Sequence, residues 1–461
     1  MKIICLISDT FRYDHLGCGG EKGIRTPELD EFAEDSTFFE NYYLSSFPTI
    51  PAREDFFTGR FSAPFHGWQP LEKDEIVLPE VLSANGYINQ LICDNPHLLK
   101  GDANYHRGFQ AYYWIRGQEG DVYLTRFNYP IEEVMPDDKT REPTRIFGHK
   151  LIDIHRWQNW NWQGEEDTFV ARTAQTACRW IEDNHKLDNF FLWVDTFDAH
   201  EPWDPPAELV RLYDPDYEGI PMLHPNYGPA SAYSEAELRN LGAHYAGEIT
   251  LVSRWLGKVL KKLKEVDIYD ETLIVFTTDH GMYLGEHNRT GKSNICKADN
   301  RGPWPLYEEI THIPLMVRLP GGEGKGKRVK ELVQQVDLMP TILDMADIKD
   351  KPPLHGKSLL PLIRGEGGNR PYAFSICGPL AEESLGGIHW STVQDKEWAY
   401  LVGGREEDKE ELYRLDKDPA QENNVAGENK DIVRRMKRAY IEFLRSLGAA
   451  EGRIRKIEEK K

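Results

Sequence analysis

The stretch Lys2-Ile3-Ile4-Cys5-Leu6-Ile7-Ser8-Asp9 decides the fold class of this chain. It is a short, continuous apolar run that leads into an acidic residue, as expected of a strand buried on both faces of a parallel sheet. Three later apolar runs have the same form, at 88–93, 190–194 and 273–276. Together the four runs predict buried parallel strands.

Helix-start signals lie between the predicted strands. Thr26 is interpreted as a helix cap, followed by a proline at the first helical position, and Ser234 opens a capping box for a helix that reaches about Val266. Strands that alternate with helices predict an α/β fold with a doubly wound sheet, in which ligands bind beyond the carboxyl ends of the strands. We therefore expect Asp9 and Asp279 to lie at a functional site.

The chain divides into two predicted parts. Residues 1–370 form a large catalytic domain, and residues 371–461 form a smaller C-terminal α+β subdomain, because short strand-like pieces precede a charged helix from about Lys430. Residues 111–165 contain four tryptophans without a clear period. They are interpreted as an insertion that covers the site as a lid, with a simple surface excursion as the alternative.

Composition excludes several classes of protein. The chain has 461 residues, of which 40% are hydrophobic and 29% charged, so it is globular. Its net charge of −20 argues against a nucleic-acid partner. No apolar run reaches the ~20 residues that span a bilayer, and the N-terminus lacks a cleavage site, so a cytoplasmic protein without a membrane partner is expected. Six scattered cysteines indicate reduced thiols.

The segment Thr49-Ile50-Pro51-Ala52-Arg53 carries the first candidate catalytic group. Because proline suits the first turn of a helix, the Thr49 hydroxyl is predicted at a helix N-terminus, where free amides and the helix dipole stabilise an anion. This is a suitable position for a nucleophile. The alternative is that Thr49 only caps the helix.

A metal site is predicted at the same edge of the sheet. Asp9, Asp279 and His280 follow predicted strands, and with Thr49 they offer carboxylate, imidazole and hydroxyl ligands. A divalent metal would lower the pKa of the hydroxyl and offset charge on a phosphate or sulfate ester. The ligand types admit Mn²⁺, Ca²⁺, Zn²⁺ or Mg²⁺.

Seven motifs, in order, resemble the sulfatase branch of the alkaline phosphatase superfamily over residues 1 to about 430. The motifs are Asp9-Thr10-Phe11-Arg12-Tyr13-Asp14, Thr26-Pro27-Glu28-Leu29-Asp30, Thr49-Ile50-Pro51-Ala52-Arg53 with Thr58-Gly59, Asp198-Ala199-His200-Glu201-Pro202, Thr278-Asp279-His280-Gly281 with Gly285-Glu286-His287, Val336-Asp337-Leu338-Met339-Pro340-Thr341, and Glu411-Leu412-Tyr413-Arg414-Leu415 with Asp418-Pro419. The resemblance implies an alkaline-phosphatase-like sheet between helices. It also implies one divalent metal bound by Asp9, Thr49, Asp279 and His280.

The resemblance implies further catalytic residues. Arg53 would neutralise charge on the nucleophile, and His200 would contact substrate and protonate the leaving group, which suits its ordinary pKa of ~6.5. Lys292 would bind the substrate anion. The family's Tyr-Glu pair usually follows that lysine closely, whereas here it lies fifteen residues later. Lys297 is therefore a second candidate for the same role.

Three substrate-binding positions depart from the family pattern or match it only partly. His97 aligns with the histidine of the sulfatase Lys-Trp-His segment, but Asn95 replaces the lysine, so one positive charge over the anion is lost. Thr10 stands where many relatives have a second aspartate and is expected near the metal or substrate.

A second metal ion is also considered, with Asp195, Asp198 and His200 as its ligands. The motif, however, favours a role for His200 at the substrate.

Threonine at position 49 decides the predicted chemistry. Most relatives have cysteine or serine there and convert it to formylglycine, whose sulfated hydrate expels sulfate by breaking a carbon–oxygen bond. A threonine ester lacks that exit, whereas water can resolve a phosphothreonine by in-line attack at phosphorus. Nucleotide pyrophosphatase/phosphodiesterase relatives use a threonine nucleophile, and phosphonate monoester hydrolases share the Asp-x-x-Arg pattern that begins at Asp9.

The favoured function is a metal-dependent hydrolase of phosphodiesters or phosphonate monoesters, with a covalent phosphothreonine intermediate. One metal carries less charge than two, which suits a singly charged substrate better than a dianion. The alternatives are a sulfatase that works without formylglycine, a phosphotransferase that passes the group to an alcohol, and a non-catalytic binding protein. The expected partner is a small anionic ester, and a homo-oligomer is compatible with the sequence.

Overall fold

The computed structural model of the chain describes residues 1–20, 23–125, 135–136, 139–140, 145–146, 148–294, 302–368, 370–378, 389–404 and 408–460. Its main feature is an eight-stranded, mostly parallel sheet. In spatial order the strands are Arg328–Val329, Thr37–Phe39, Leu315–Arg318, Thr272–Thr277, Lys2–Ser8, Phe190–Thr196, Ile88–Cys93 and Ala111–Trp114.

The four predicted strands are adjacent in this sheet and parallel, which confirms the α/β fold class. Lys2–Ser8 lies between Thr272–Thr277 and Phe190–Thr196, and Ile88–Cys93 pairs with the latter. One strand is longer than its apolar run, because Asp195 continues the ladder opposite Ile7 and Cys93. Asp195 is therefore inside a strand rather than after it.

Both faces of the sheet are covered by helices. On one face Ile3, Cys5 and Ile7 belong to a core that includes Phe56 and Phe57. On the other face Ile4 and Leu6 pack in a second core with the helices Phe169–Asn184 and Glu235–Glu265. The helices of the described chain are Pro27–Glu34, Thr49–Thr58, Leu78–Ala84, Leu151–Gln158, Phe169–Asn184, Ala207–Val210, Glu235–Glu265, Glu308–Thr311, Leu338–Met345, Leu360–Arg364, Lys430–Leu447 and Glu451–Glu459.

The two predicted helix starts behave differently. Ser234 caps the helix Glu235–Glu265: its hydroxyl accepts a bond from the Glu237 amide at 3.3 Å, and the Glu237 carboxylate accepts one from the Ser234 amide at 2.8 Å. Thr26 precedes the helix Pro27–Glu34 but does not cap it. Its hydroxyl instead binds the Gly17 amide and the Asp30 carboxylate, so the capping interpretation of Thr26 is wrong.

A second, five-stranded sheet contains most of the C-terminal strands. In spatial order its strands are Glu411–Arg414, Trp398–Val402, Ser391–Gln394, Ala373–Cys377 and Ser46–Phe47. The last of these pairs with Ala373–Cys377 and leads directly into the helix Thr49–Thr58. The C-terminal sheet therefore fixes the start of that helix, while the boundary near residue 370 stays a prediction.

Short sheets complete the architecture. They pair Gly228–Pro229, Arg289–Gly291 and Tyr283–Leu284; Ser293–Asn294 and Gly302–Pro303; Val333–Gln334 and Tyr42–Tyr43; and Arg145–Ile146 and His149–Lys150. Within the predicted insertion 111–165, the first residues form an edge strand of the main sheet, and many of the others lie outside the described residues. A lid role for this segment stays a prediction. Among the described helices, none is both long and apolar enough to cross a membrane.

We expect Ser234→Ala to lower the free energy of unfolding by about 1 kcal/mol, because it leaves helix amides without their side-chain partner. Urea unfolding followed by circular dichroism measures this change. Ser231→Ala, on an exposed residue of the same loop, is the matched control and should leave the midpoint unchanged. Equal midpoints for both variants would show that the capping box contributes nothing.

Candidate active site

Two carboxylates and an imidazole meet beyond the carboxyl ends of the central strands. Asp9 follows the strand Lys2–Ser8, and Asp279 and His280 follow Thr272–Thr277. One ligand atom from each of the three lies within 4.8 Å of the others, and all three side chains are fully buried. Parallel pairing of the two strands brings these residues together although they are about 270 positions apart in the sequence.

Arg53 lies among the acidic groups of this cluster. Its guanidinium is 3.0 Å from Asp9 and 2.8 Å from Asp195, and it also contacts Asp279. Burial and the charge of Asp279 raise the pKa of Asp9, whereas Arg53 overcomes burial and lowers the pKa of Asp279. Three carboxylates face one guanidinium, so a divalent cation would improve the charge balance.

His280 has the form that a metal ligand requires. Its Nδ1 lies 2.9 Å from the Gly281 carbonyl oxygen. Because a carbonyl oxygen only accepts hydrogen bonds, Nδ1 carries the proton and Nε2 keeps the lone pair that can bind a metal. Burial lowers the pKa of His280 to about 3, so the ring is neutral near neutral pH. Two carboxylates and one neutral imidazole therefore fit a divalent metal, with Asp9, Asp279 and His280 as the residues that would hold it.

The Thr49 hydroxyl faces this cluster. Thr49 is the first residue of the helix Thr49–Thr58, and its Oγ1 lies 3.2 Å from Nε2 of His280. Pro48 rather than Thr49 occupies the N-cap position, and His280 is the side chain that the Thr49 hydroxyl contacts in the described part of the chain. The arrangement agrees with the predicted position at a helix N-terminus and disfavours a role in capping alone.

Thr10 and Asn95 contact the Asp9 carboxylate through their side chains. The Thr10 hydroxyl donates to Asp9 Oδ1 at 2.7 Å, and Asn95 Nδ2 is 3.5 Å from Asp9 Oδ2. Thr10 has φ +60°, a strained conformation for a β-branched residue, and its amide donates to Asp279 at 2.9 Å. The structure places both side chains beside the metal cluster, and their contact with substrate stays a prediction.

A cavity of about 300 Å³ opens beside Thr49. It contains three of the other predicted site residues: His97, His200 and Lys292. Lys297 lies outside the described residues. The cavity is lined by Phe47, Pro48, Thr49, Trp68, His97, Glu119, His200, Tyr227, Lys292 and Ser293. Its volume is at the lower end of the range for small-molecule sites.

Two predicted substrate contacts in the cavity, Lys292 and His97, have carboxylate partners. Lys292 Nζ is 3.7 Å from Glu201, and His97 Nε2 is 3.3 Å from Glu119. Tyr227 donates a hydrogen bond to Glu201 as well. Sequence reasoning did not single out these two carboxylates. Glu119 comes from the aperiodic segment 111–165, and Glu201 lies in a motif whose predicted functional residue is His200.

His200 is oriented by its immediate neighbours. Its ring stacks on Phe197 with centroids 3.9 Å apart, and its Nδ1 is 2.7 Å from the Glu201 carbonyl oxygen. A carbonyl accepts only, so Nδ1 carries a proton and Nε2 is the nitrogen that can exchange one. This arrangement suits a proton donor on the cavity wall.

The second metal ion considered from Asp195, Asp198 and His200 finds no support in the described residues. Asp195 pairs with Arg53, while Asp198 accepts bonds from the Val170 amide at 2.8 Å and from Gln118 at 2.6 Å. Burial raises the pKa of Asp198 to about 7. The three residues form no ligand group together.

Comparison with known proteins identifies the family of the chain. The family model described as Sulfatase matches residues 2–348, and that described as N-sulphoglucosamine sulphohydrolase, C-terminal, matches residues 303–445. The chain is 25% identical to an arylsulfatase of Clostridium perfringens, over 98% of this chain and 95% of the relative. It is also 25% identical to the multifunctional alkaline phosphatase superfamily protein PehA of Trinickia caryophylli, over 78% and 76% of the two chains.

A solved structure shares the fold. The phosphonate monoester hydrolase of Agrobacterium radiobacter superposes with a TM-score of 0.74 at 22% identity, covering 97% of this chain and 95% of that chain. The Sulfatase match spans three quarters of the sequence and contains the metal cluster and the Thr49 helix. The chain belongs to the sulfatase family of metal-binding hydrolases, within the alkaline phosphatase superfamily.

Proposed function

We propose that the protein hydrolyses singly charged phosphodiesters or phosphonate monoesters through a covalent intermediate on Thr49. The observation that carries the proposal is the position of the Thr49 hydroxyl, at a helix N-terminus and 3.2 Å from Nε2 of His280. Helix amides and the dipole favour negative charge at this position. A bound divalent metal would add positive charge there, lower the pKa of the hydroxyl and offset charge on the substrate.

Threonine favours transfer of phosphorus over transfer of sulfur. The formylglycine route depends on an aldehyde hydrate, and a threonine side chain has no corresponding exit for sulfate. Phosphorus is different because water can displace a phosphothreonine directly, in line with the bond that breaks. The fold similarity to a phosphonate monoester hydrolase is compatible with this chemistry.

The proposed reaction has two displacements. In the first, deprotonated Thr49 Oγ1 attacks phosphorus, the bond to the leaving alkoxide breaks, and His200 donates a proton to the departing oxygen. In the second, water attacks the phosphothreonine, His200 takes up the water proton, and Thr49 is released. Lys292 and the helix amides hold the nonbridging oxygens, which carry the negative charge throughout.

Charge in the cavity favours a monoanionic substrate. Glu201 lies beside the Lys292 ammonium group, and Glu119 lies beside the His97 ring. These carboxylates lower the positive potential that a substrate meets, which disfavours the second charge of a phosphate monoester. Phosphodiesters, phosphonate monoesters and sulfate esters all carry a single charge, so the charge of the cavity favours all three, and Thr49 favours phosphorus over sulfur.

A sulfatase without formylglycine is the second candidate. It is favoured by the Sulfatase family match and by the arylsulfatase of Clostridium perfringens. In this case Thr49 would transfer sulfate by displacement at sulfur. The two candidates share the metal, the fold and the charge of the substrate, so only the identity of the turned-over ester separates them.

Matched nitrophenyl esters test the proposal directly. We expect the metal-reconstituted protein to prefer a phosphodiester and a phenylphosphonate over a phosphate monoester and a sulfate. We expect Thr49→Ala to lower the preferred rate by about 10³-fold or more, because the covalent route is lost. Thr58→Ala, in the same helix, is the control for the fold and should stay active. Preference for the sulfate would select the sulfatase instead.

Glu119 provides a test of the charge argument. We expect Glu119→Gln to raise the relative kcat/KM for a dianionic phosphate monoester by about tenfold, or ~1.4 kcal/mol, because one negative charge leaves the cavity. The rate ratio of monoester to diester is the readout. Glu166→Gln, an exposed residue from the same region, should leave the ratio unchanged. An unaltered ratio in Glu119→Gln would contradict the argument.

Metal dependence has its own prediction. Asp279→Asn should remove one equivalent of bound metal and abolish turnover, since it deletes a charged ligand and leaves Arg53 with fewer partners. Metal content is measured by inductively coupled plasma mass spectrometry of the reconstituted protein. Asp267→Asn, at an exposed position with φ +59° that asparagine tolerates, is the control. Full metal content in Asp279→Asn would exclude this residue as a ligand.

A further inference from the structure

A second group of metal-ligating side chains lies outside the site described above. Glu54, His66 and Glu75 each place one ligand atom within 4.8 Å of the others. Glu54 belongs to the helix Thr49–Thr58, on which Thr49 is five residues earlier, while His66 and Glu75 come from the following connection to the helix Leu78–Ala84. Two distinct segments of the chain therefore meet at this point.

Buried polar atoms of this group lack hydrogen-bond partners. Glu54 is 2% exposed, and its Oε2 has no hydrogen-bond partner in the described part of the chain. Its Oε1 lies 3.3 Å from Nε2 of His66, and Nδ1 of His66 is also buried without a partner among the described residues. An unpaired buried polar atom is destabilising, so a ligand in this position would be stabilising.

The charges around the group are not balanced by the protein. Glu72 and Asp55 add further carboxylates, and their charges with burial raise the pKa of Glu54. Arg60 is the nearby cation, but it is partly exposed and 4.0 Å from Glu75. The Arg107 guanidinium is occupied by the carbonyl oxygens of Glu72 and Glu75 and by the Glu80 carboxylate.

We propose that Glu54, His66 and Glu75 bind a second divalent cation, separate from the catalytic metal. One imidazole and two carboxylates are a ligand set typical of Zn²⁺, and they leave a fourth position for water. The inference does not depend on which ester the enzyme cleaves.

Such an ion would cross-link two segments of the chain beside the active-site cavity. It would tie the Thr49 helix to the connection that carries Trp68, two residues after His66. Trp68 lines the cavity and makes an edge contact with His97, with ring centroids 4.9 Å apart. The ion would therefore hold one wall of the cavity against the helix that begins at Thr49.

Zinc stoichiometry tests the proposal. The full-length protein and its variants are stripped with chelator, loaded with Zn²⁺ alone, passed through a desalting column and analysed for bound zinc. We expect two equivalents in the wild type, one in Asp279→Asn, one in His66→Asn and none in the double variant. His185→Asn, on a helix end remote in sequence, is the matched control and should retain two. Glu75→Gln repeats the test with a nearly isosteric change if His66→Asn does not fold.

Thermal unfolding supplies a second readout that the catalytic site does not affect. Zn²⁺ should raise the Tm of Asp279→Asn but not that of Asp279→Asn combined with His66→Asn. The proposal is wrong if His66→Asn and Glu75→Gln bind as much zinc as the wild type. It is also wrong if Asp279→Asn retains no zinc, because the remaining group would then be no site.

Discussion

The ion-pair network of Arg53 with Asp9, Asp195 and Asp279 is the interaction on which the rest of the site depends. The three carboxylates come from three adjacent parallel strands, so the sheet itself forces like charges together in a buried place. Arg53 compensates part of this charge from the helix that begins at Thr49. Breaking one partner of such a buried network costs about 3–5 kcal/mol, because a buried charge is then left uncompensated.

Docking of the helix determines the chemistry. Once Arg53 is fixed, Thr49 lies one helical turn earlier and its hydroxyl meets His280. The strand Ser46–Phe47, which pairs with the C-terminal sheet, holds the chain immediately before this point. The main sheet therefore supplies the acidic ligands, and the second sheet helps to set the direction from which the hydroxyl approaches them.

Much of this organisation follows from local sequence signals. The four central strands can be predicted from the sequence because both of their faces are buried, so their residues are continuously apolar. The helix after Ser234 can be predicted from its capping box. The predictions for Asp195 and Thr26 were wrong because tertiary contacts decide their positions. Asp195 continues a strand since Arg53, from another element, pairs with it. The Thr26 hydroxyl binds the Gly17 amide instead of an amide of its own helix.

Local sequence patterns could not predict which acidic residues pair with His97 and Lys292 in the cavity. Glu119 and Glu201 matter because they meet His97 and Lys292 across the fold, and no spacing in the sequence encodes those contacts. The same holds for Glu54, whose neighbour His66 is twelve residues away in an irregular connection. Motifs identify the groups that chemistry needs, whereas tertiary folding decides which charges accompany them.

Direct detection of a covalent adduct on Thr49 tests the central claim most directly. The reaction with nitrophenyl phenylphosphonate is stopped by acid during turnover, and the peptide that contains Thr49 is analysed by mass spectrometry. The account predicts a fraction of this peptide that carries a phenylphosphonyl group on Thr49, and no such fraction when the substrate is omitted. Rapid turnover with Thr49 unmodified at every quench time, together with inversion of configuration at phosphorus, would contradict it.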